Sequence, residues 1–178
     1  MIRILTVSPE ILTEFQDIHG KILPKKRIKD FKTYGIVEST SKYADKKISN
    51  YETIEPIKKL MIGLLEDSGI DTFDSSRFLI ECHQTNCLEY KDQKKSYFDW
   101  HCDDEAQDSY KVYTVIFYLR KDITVRGGDF EYKIKGMNYV HKVNAGDCLI
   151  FRGDLYHYPQ PSWGFGCRDV IVGFIRRP

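Results

Sequence analysis

One His-x-Asp triplet, His101-Cys102-Asp103, is followed downstream by a lone histidine, His157, and eleven positions later by Arg168. Two histidines and one carboxylate can hold a divalent metal from one side, a donor set that suits Fe(II) and leaves three coordination positions open. An arginine after the distal histidine offers the planar, paired donors that a dicarboxylate such as 2-oxoglutarate requires. By itself the triplet says little. Five histidines and 26 acidic residues in 178 give about 0.7 His-x-Asp/Glu triplets by chance. Its meaning depends on the elements around it.

The approach to the triplet, Tyr97-Phe98-Asp99-Trp100, is aromatic and has β propensity. A strand over residues 98–103 would place His101 and Asp103 on one face and Cys102 on the other, because side chains alternate along a strand. Two ligands on one strand face can then grip one ion, and Cys102 becomes a packing residue.

Next, Tyr113-Thr114-Val115-Ile116-Phe117-Tyr118-Leu119 is dense in β-branched and aromatic residues, which predicts a central strand buried on both faces. Gly127-Gly128-Asp129 makes a turn into Phe130–Ile134, which alternates apolar and polar residues. Asn144-Ala145-Gly146-Asp147 punctuates before another short buried strand, Cys148–Phe151, and His157 follows closely. Pro159, Pro161, Gly164 and Gly166 predict a turn, after which Arg168 opens the last strand, Asp169–Ile175. Short strands at regular spacing, joined by Gly/Pro turns, argue for a sandwich or squashed barrel whose open mouth gathers the ligands.

The first half reads as support. Ser8-Pro9-Glu10 predicts a helix start with Gly20 as its stop. Glu55-Pro56 predicts a second helix, with Ile57, Leu60, Met61, Leu64 and Leu65 on one face and Gly69 at its end. Residues 21–34 and 40–52 are polar enough to be loops. A chain of 178 residues can bury a core without staples. The formal charge of +1 gives no broad basic field for nucleic acid. Lys25-Lys26-Arg27, Lys46-Lys47 and Lys94-Lys95 read as solvated surface. Five cysteines without a Cys-x-x-Cys fit reduced thiols in a cytoplasmic protein better than a disulfide framework. The start, Met1–Val7, is too short for a signal-peptide apolar region, and no run approaches membrane-spanning length.

Other residues have bland readings. His19, His83 and His141 lack an acid two residues on and are taken as structural. Trp100 and Trp163 flank proposed ligands, as pocket walls or as core packing. In the acidic stretch Asp103-Asp104-Glu105 with Asp108, only Asp103 has the alternation that aims it at a metal.

The ordered set from about Leu79 to Ile175 resembles the 2-oxoglutarate/Fe(II)-dependent oxygenases, and within them the prolyl-4-hydroxylase-like branch. The residues that carry the resemblance are Tyr90, His101-Cys-Asp103, the strand Val115–Leu119, Gly127-Gly128-Asp129, Ala145-Gly146-Asp147, His157 and Arg168. Lys91–Ser96 stands where that family has glycine-rich sequence. The resemblance implies a mainly β fold with flanking helices: a double-stranded β-helix (jelly-roll) core over 76–178, supported by a helical region over 1–75, in a single domain spanning 1–178. It implies His101, Asp103 and His157 as Fe(II) ligands, and Arg168, Tyr118 and Tyr90 as 2-oxoglutarate contacts. O2 is then the second co-substrate, and ascorbate the reductant that keeps iron reduced. The implied reaction decarboxylates 2-oxoglutarate to succinate and CO2 while a substrate C–H bond is hydroxylated, with a protein or peptide side chain such as proline favoured as target. The polar segments 91–99 and 104–112 would fold over an extended peptide. A nucleobase oxygenase is disfavoured by charge and by the lack of that branch's second spaced arginine. A small-molecule oxygenase and a non-catalytic metal-binding jelly roll stay open. The oligomeric state is not legible.

Overall fold

A computed structural model describes residues 2–22, 32–36, 44–48, 51–70, 78–87, 99–103 and 111–176. The N-terminal part supplies β1 (Ile2–Thr6), α1 (Pro9–Ile22), β2 (Lys32–Ile36), β3 (Ala44–Ile48), α2 (Tyr51–Asp67) and β4 (Phe78–Cys87). After these come β5 (Lys111–Lys121), β6 (Val125–Gly127), β7 (Phe130–Ile134), β8 (Met137–His141) and β9 (Asp147–Arg152). The chain closes with β10 (His157–Pro159), β11 (Ser162–Gly164) and β12 (Gly166–Arg176).

Seven strands form the large sheet in the order β1-β9-β5-β12-β4-β2-β3, antiparallel throughout except for the parallel β2–β3 pair. A smaller sheet, β10-β7-β8, and the ribbon β11-β6 make up the rest. The fold is mainly β with flanking helices, a jelly roll as expected.

Alternation along the central strands builds two cores. Val115, Phe117 and Leu119 of β5, Cys148 and Ile150 of β9, and Ile171 and Ile175 of β12 pack with Phe15 of α1 and Ile57, Met61, Leu64 and Leu65 of α2. The residues between them, Ile116, Tyr118, Leu149, Phe151 and Val170, turn to the other face and pack with Phe130 of the small sheet. The functional side chains lie on this second face. Each fully buried large side chain contributes about 1.5–3 kcal/mol relative to exposure, so both cores hold the sheet in place.

The helices follow the sequence with two differences. α2 closes as expected at Gly69, whose φ of 75° lets its N–H reach Glu66 O (2.8 Å) while Ile70 N–H reaches Leu65 O (3.0 Å). These paired bonds satisfy the last carbonyls and bring Ile70 back onto the apolar face. However, α2 begins at Tyr51, so Pro56 lies inside the helix, where it forgoes one backbone bond in the second turn. α1 runs past Gly20 to Ile22.

The strands bring further corrections. The segment around the triplet is not a strand: His101 makes an isolated antiparallel bridge to His157, and Asp103 lies in a turn. Residues expected as loops hold β3 and the first residues of β2 and α2. β3, with its Lys46-Lys47, is an edge strand, and charged edge strands resist further pairing and carry no apolar signal. Ile2–Thr6, given no element from sequence, pairs with β9 at the opposite edge. The proline- and glycine-bearing stretch read as a turn contains β10 and β11, both only three residues long.

Candidate active site

His101 and His157 are joined through their backbones: His101 N–H donates to His157 O at 3.0 Å, and His157 N–H to His101 O at 2.9 Å. This reciprocal pair does the work expected of a strand, holding an irregular segment against β10. Alternation survives without regular pairing. Asp103 turns inward with the two imidazoles, while Cys102 Sγ donates away to Asp154 O at 3.4 Å. Trp100 lies across Tyr156 and Tyr158, with ring centroids at 5.2 and 5.6 Å, and Lys133 Nζ sits 4.5 Å from the Trp100 ring centre. Trp100 therefore clamps the ligand segment to β10 through its neighbours.

One potential ligand atom from each of His101, Asp103 and His157 lies within 4.8 Å of the others. Asp103 Oδ1 is 3.7 Å from His101 Nε2 and 4.0 Å from His157 Nε2. Each histidine's other nitrogen faces a backbone carbonyl two residues upstream: His101 Nδ1 to Asp99 O at 2.6 Å and His157 Nδ1 to Leu155 O at 2.9 Å. A carbonyl oxygen only accepts, so both Nδ1 atoms carry a proton, and in the neutral ring each Nε2 presents its lone pair toward Asp103. Such outer partners fix ring orientation and raise ligand basicity. The two rings differ in setting. The His157 side chain is 3% exposed, its ring 5.2 Å from that of Phe130 and 5.0 Å from that of Phe151, whereas the His101 side chain is 31% exposed.

Asp103 is buried, and its second oxygen, Oδ2, accepts a hydrogen bond from Thr114 Oγ1 on β5. Thr114 was not singled out from sequence. The signal was a hydroxyl in an apolar run, with the same strand parity as Tyr118.

Arg168 is buried on β12, and its guanidinium donates from NH1 to Gly128 O at 2.9 Å. Its Nε is buried with no hydrogen-bond partner among the described residues. A buried cationic donor without an acceptor is costly in a dry interior, and a bound carboxylate would supply the acceptor. Gly128 was read from sequence as a turn residue, but it does more. A Cβ there would lie 2.7 Å from Arg168 NH1, and its φ is 70°, so glycine both permits the turn and leaves room for the arginine. Tyr118 is fully buried, with the Arg168 guanidinium carbon 5.9 Å from its ring centre. Burial pushes its phenol up to about 12, against the opposing field of Arg168. The hydroxyl stays protonated near neutral pH and remains a donor.

Other charged groups are committed elsewhere. Arg120 pairs with Asp122 and Arg152 with Asp154. His141 Nε2 lies 3.0 Å from Asp147 Oδ2, which also accepts from Asn144 N at 2.9 Å, while Thr6 Oγ1 donates to Oδ1 at 3.1 Å. That cluster secures the β8–β9 turn and edge strand β1, the structural role expected of His141. Tyr90, the rest of the segment before Asp99 and residues 104–110 lie outside the described residues, as do the side chains of His19, His83 and Trp163.

The donor set fits a divalent iron ion. Two imidazoles and one carboxylate converge, and the buried arginine fits an anionic co-substrate.

No family model matches the chain, and no curated protein sequence matches it. Solved structures do. An oxidoreductase of the 2OG-Fe(II) oxygenase family from Burkholderia pseudomallei is similar over 99% of this chain and 84% of its own, with a TM-score of 0.72 at 13% identity. A viral collagen prolyl hydroxylase from Paramecium bursaria Chlorella virus-1, solved with 2OG, matches over 99% and 96%, with a TM-score of 0.63 at 16% identity. A Trichoplax adhaerens prolyl hydroxylase, solved with a hypoxia inducible factor peptide fragment, matches over 98% and 83%, with a TM-score of 0.66 at 13% identity. At these identities the likeness is one of fold. It bears out the fold expected from the motif order, which the prolyl hydroxylases among these structures share.

Proposed function

We propose that this chain is a 2-oxoglutarate- and O2-dependent Fe(II) hydroxylase, acting as a single domain over 1–178. The observation that carries the reading is the convergence of one buried carboxylate oxygen and two imidazole Nε2 atoms, each imidazole held in the ligating tautomer by a backbone carbonyl. His101, Asp103 and His157 hold the iron. Arg168 binds the distal carboxylate of 2-oxoglutarate, its Nε supplying a donor and its NH1 anchored on Gly128. Tyr118 adds a neutral hydroxyl donor beside it. Tyr90 belongs to the same proposed contact set by motif position.

When bound, the iron activates O2 and couples 2-oxoglutarate decarboxylation, with release of succinate and CO2, to hydroxylation of a C–H bond. The protein's share is orientation. Asp103 brings one negative charge to the ion, and the Phe130 and Phe151 rings wall His157 off from water. The opposite side of the triad, next to the half-exposed His101, is where substrate enters.

A peptidyl target, proline first, is supported by the prolyl hydroxylases that share this fold and by the near-neutral charge. The segments proposed to fold over such a peptide, 91–99 and 104–112, lie largely outside the described residues. No described helix is long and apolar enough to cross a membrane, and a cytoplasmic location, with ascorbate keeping the iron reduced, completes the proposal. The test is to supply Fe(II), 2-oxoglutarate and O2 with proline-containing peptides or methylated oligonucleotides and to read product mass. A gain of one oxygen on a peptide is expected. Demethylation of an oligonucleotide without any peptide product overturns the substrate class. Peptide binding should also be less salt-sensitive than phosphate-led nucleic-acid binding.

A further inference from the structure

Asp103 has two oxygens with different surroundings. Oδ1 faces both histidine Nε2 atoms, at 3.7 and 4.0 Å. Oδ2 accepts the hydroxyl of Thr114, which is itself 1% exposed and whose residue lies between Phe151 of β9 and Phe174 of β12 in the large sheet. An ionised carboxylate has no proton to give, so the threonine hydroxyl must spend its single hydrogen on Oδ2. β5 is the strand packed between β9 and β12, and Thr114 brings that rigidity to a ligand that sits in a turn.

We infer that Thr114 is a positioning residue that holds Asp103 as a one-oxygen metal ligand and so keeps three coordination places open. The inference rests on the metal-site reading above. A 2-oxo acid needs two of those places and O2 the third. Without the hydroxyl, Oδ2 either stays buried with no donor or swings onto the metal, and in the second case it closes a place that 2-oxoglutarate needs. Either way the site is impaired before any chemistry begins. The neighbouring inner-face residue Ile116 offers no donor to take the place of the Thr114 hydroxyl.

The experiment is a titration of the whole chain with Co(II), whose visible absorption reports coordination number, followed by 2-oxoglutarate under anaerobic conditions. Neither step needs turnover. Thr114→Val keeps the side chain's shape without the hydroxyl, and Thr114→Ser keeps the hydroxyl without the methyl. Loss of an outer partner commonly weakens metal binding about 10–100-fold, and that range is expected for Thr114→Val, together with a changed Co(II) spectrum and a diminished response to 2-oxoglutarate. Thr114→Ser should bind and respond like the parent. Should Thr114→Val fail to fold, Thr114→Ala removes the same hydroxyl without a branched group to repack, and the same result is expected of it. A parent that binds Co(II) while a folded hydroxyl-free variant matches it in affinity, spectrum and response overturns this inference alone. A parent that takes up no Co(II) overturns the metal-site reading and this inference with it.

Discussion

Along β5, Val115, Phe117 and Leu119 pack beneath the two helices, while Thr114, Ile116 and Tyr118 turn into the space between the sheets. All six are buried, yet the two faces differ in chemistry. The three helix-side residues are wholly apolar. The inner face carries two hydroxyl-bearing side chains, Thr114 bonded to the carboxylate of Asp103 and Tyr118 with its ring near the guanidinium of Arg168. One strand thus anchors the fold on one side and, in the proposed site, would serve metal and co-substrate on the other. Substitutions on the two faces should therefore separate stability from ligand binding.

The largest expected effect is on the helix-side face. Phe117 packs against Phe15 with ring centroids 4.2 Å apart, so Phe117→Ala should cost about 3–5 kcal/mol, read by urea denaturation. The fraction that remains folded should bind metal with the parent's affinity. A loss of metal affinity in the folded fraction would show that the two faces are coupled.

The inner side should respond in the opposite way. Asp103→Ala removes the one carboxylate of the triad and should weaken Mn(II) or Fe(II) binding by more than the roughly 100-fold upper range for outer partners. Arg168→Ala should leave metal affinity unchanged and raise the 2-oxoglutarate requirement on the order of 10–100-fold, since a hydrogen bond to a charged group contributes about 1.5–3 kcal/mol. Arg168→Lys should not restore it, because an ammonium lacks the planar pair of donors. An unchanged requirement in Arg168→Ala would move the anchor elsewhere. Arg120 and Arg152 are poor substitutes, each already paired with a neighbouring aspartate.

The smallest expected effect belongs to Tyr118→Phe. It deletes one neutral hydroxyl, worth about 0.5–1.5 kcal/mol, and should raise the 2-oxoglutarate requirement only a few-fold with little change in urea midpoint. A drop in stability as large as that of Phe117→Ala would mean that the hydroxyl serves the fold, erasing the distinction between the faces.

What the sequence makes legible follows the same division. Buried central strands such as β5, β9 and β12 announce themselves by apolar density, and the helix faces by their periodicity. His101, Asp103, His157 and Arg168 are legible because their order, with the glycine turns between them, is specific. Edge strands are not legible. β3 is polar, and β10 and β11 are three residues each and take their pairing from β7 and β6, well before them in sequence. The segment holding His101 and Asp103 was expected as a strand from its aromatic approach. Its ligands converge instead through a single bridge to His157 and the Trp100 stack, both of which depend on residues more than fifty positions away. Thr114 shows only as a hydroxyl in an apolar run, and the two backbone carbonyls behind the histidines have no sequence signature, because hydrogen-bond partners are set by the fold.

The central claim is that the triad and Arg168 form one working iron and 2-oxoglutarate site, and succinate formation tests it most directly. The chain is incubated with Fe(II), ascorbate, O2 and 2-oxoglutarate, with and without the peptide panel, beside Asp103→Ala at equal folded concentration. The account predicts iron-dependent succinate from the parent, stimulated by a productive peptide, and background levels from Asp103→Ala. No succinate from the iron-loaded parent under any of these conditions, or equal succinate from Asp103→Ala, would contradict it.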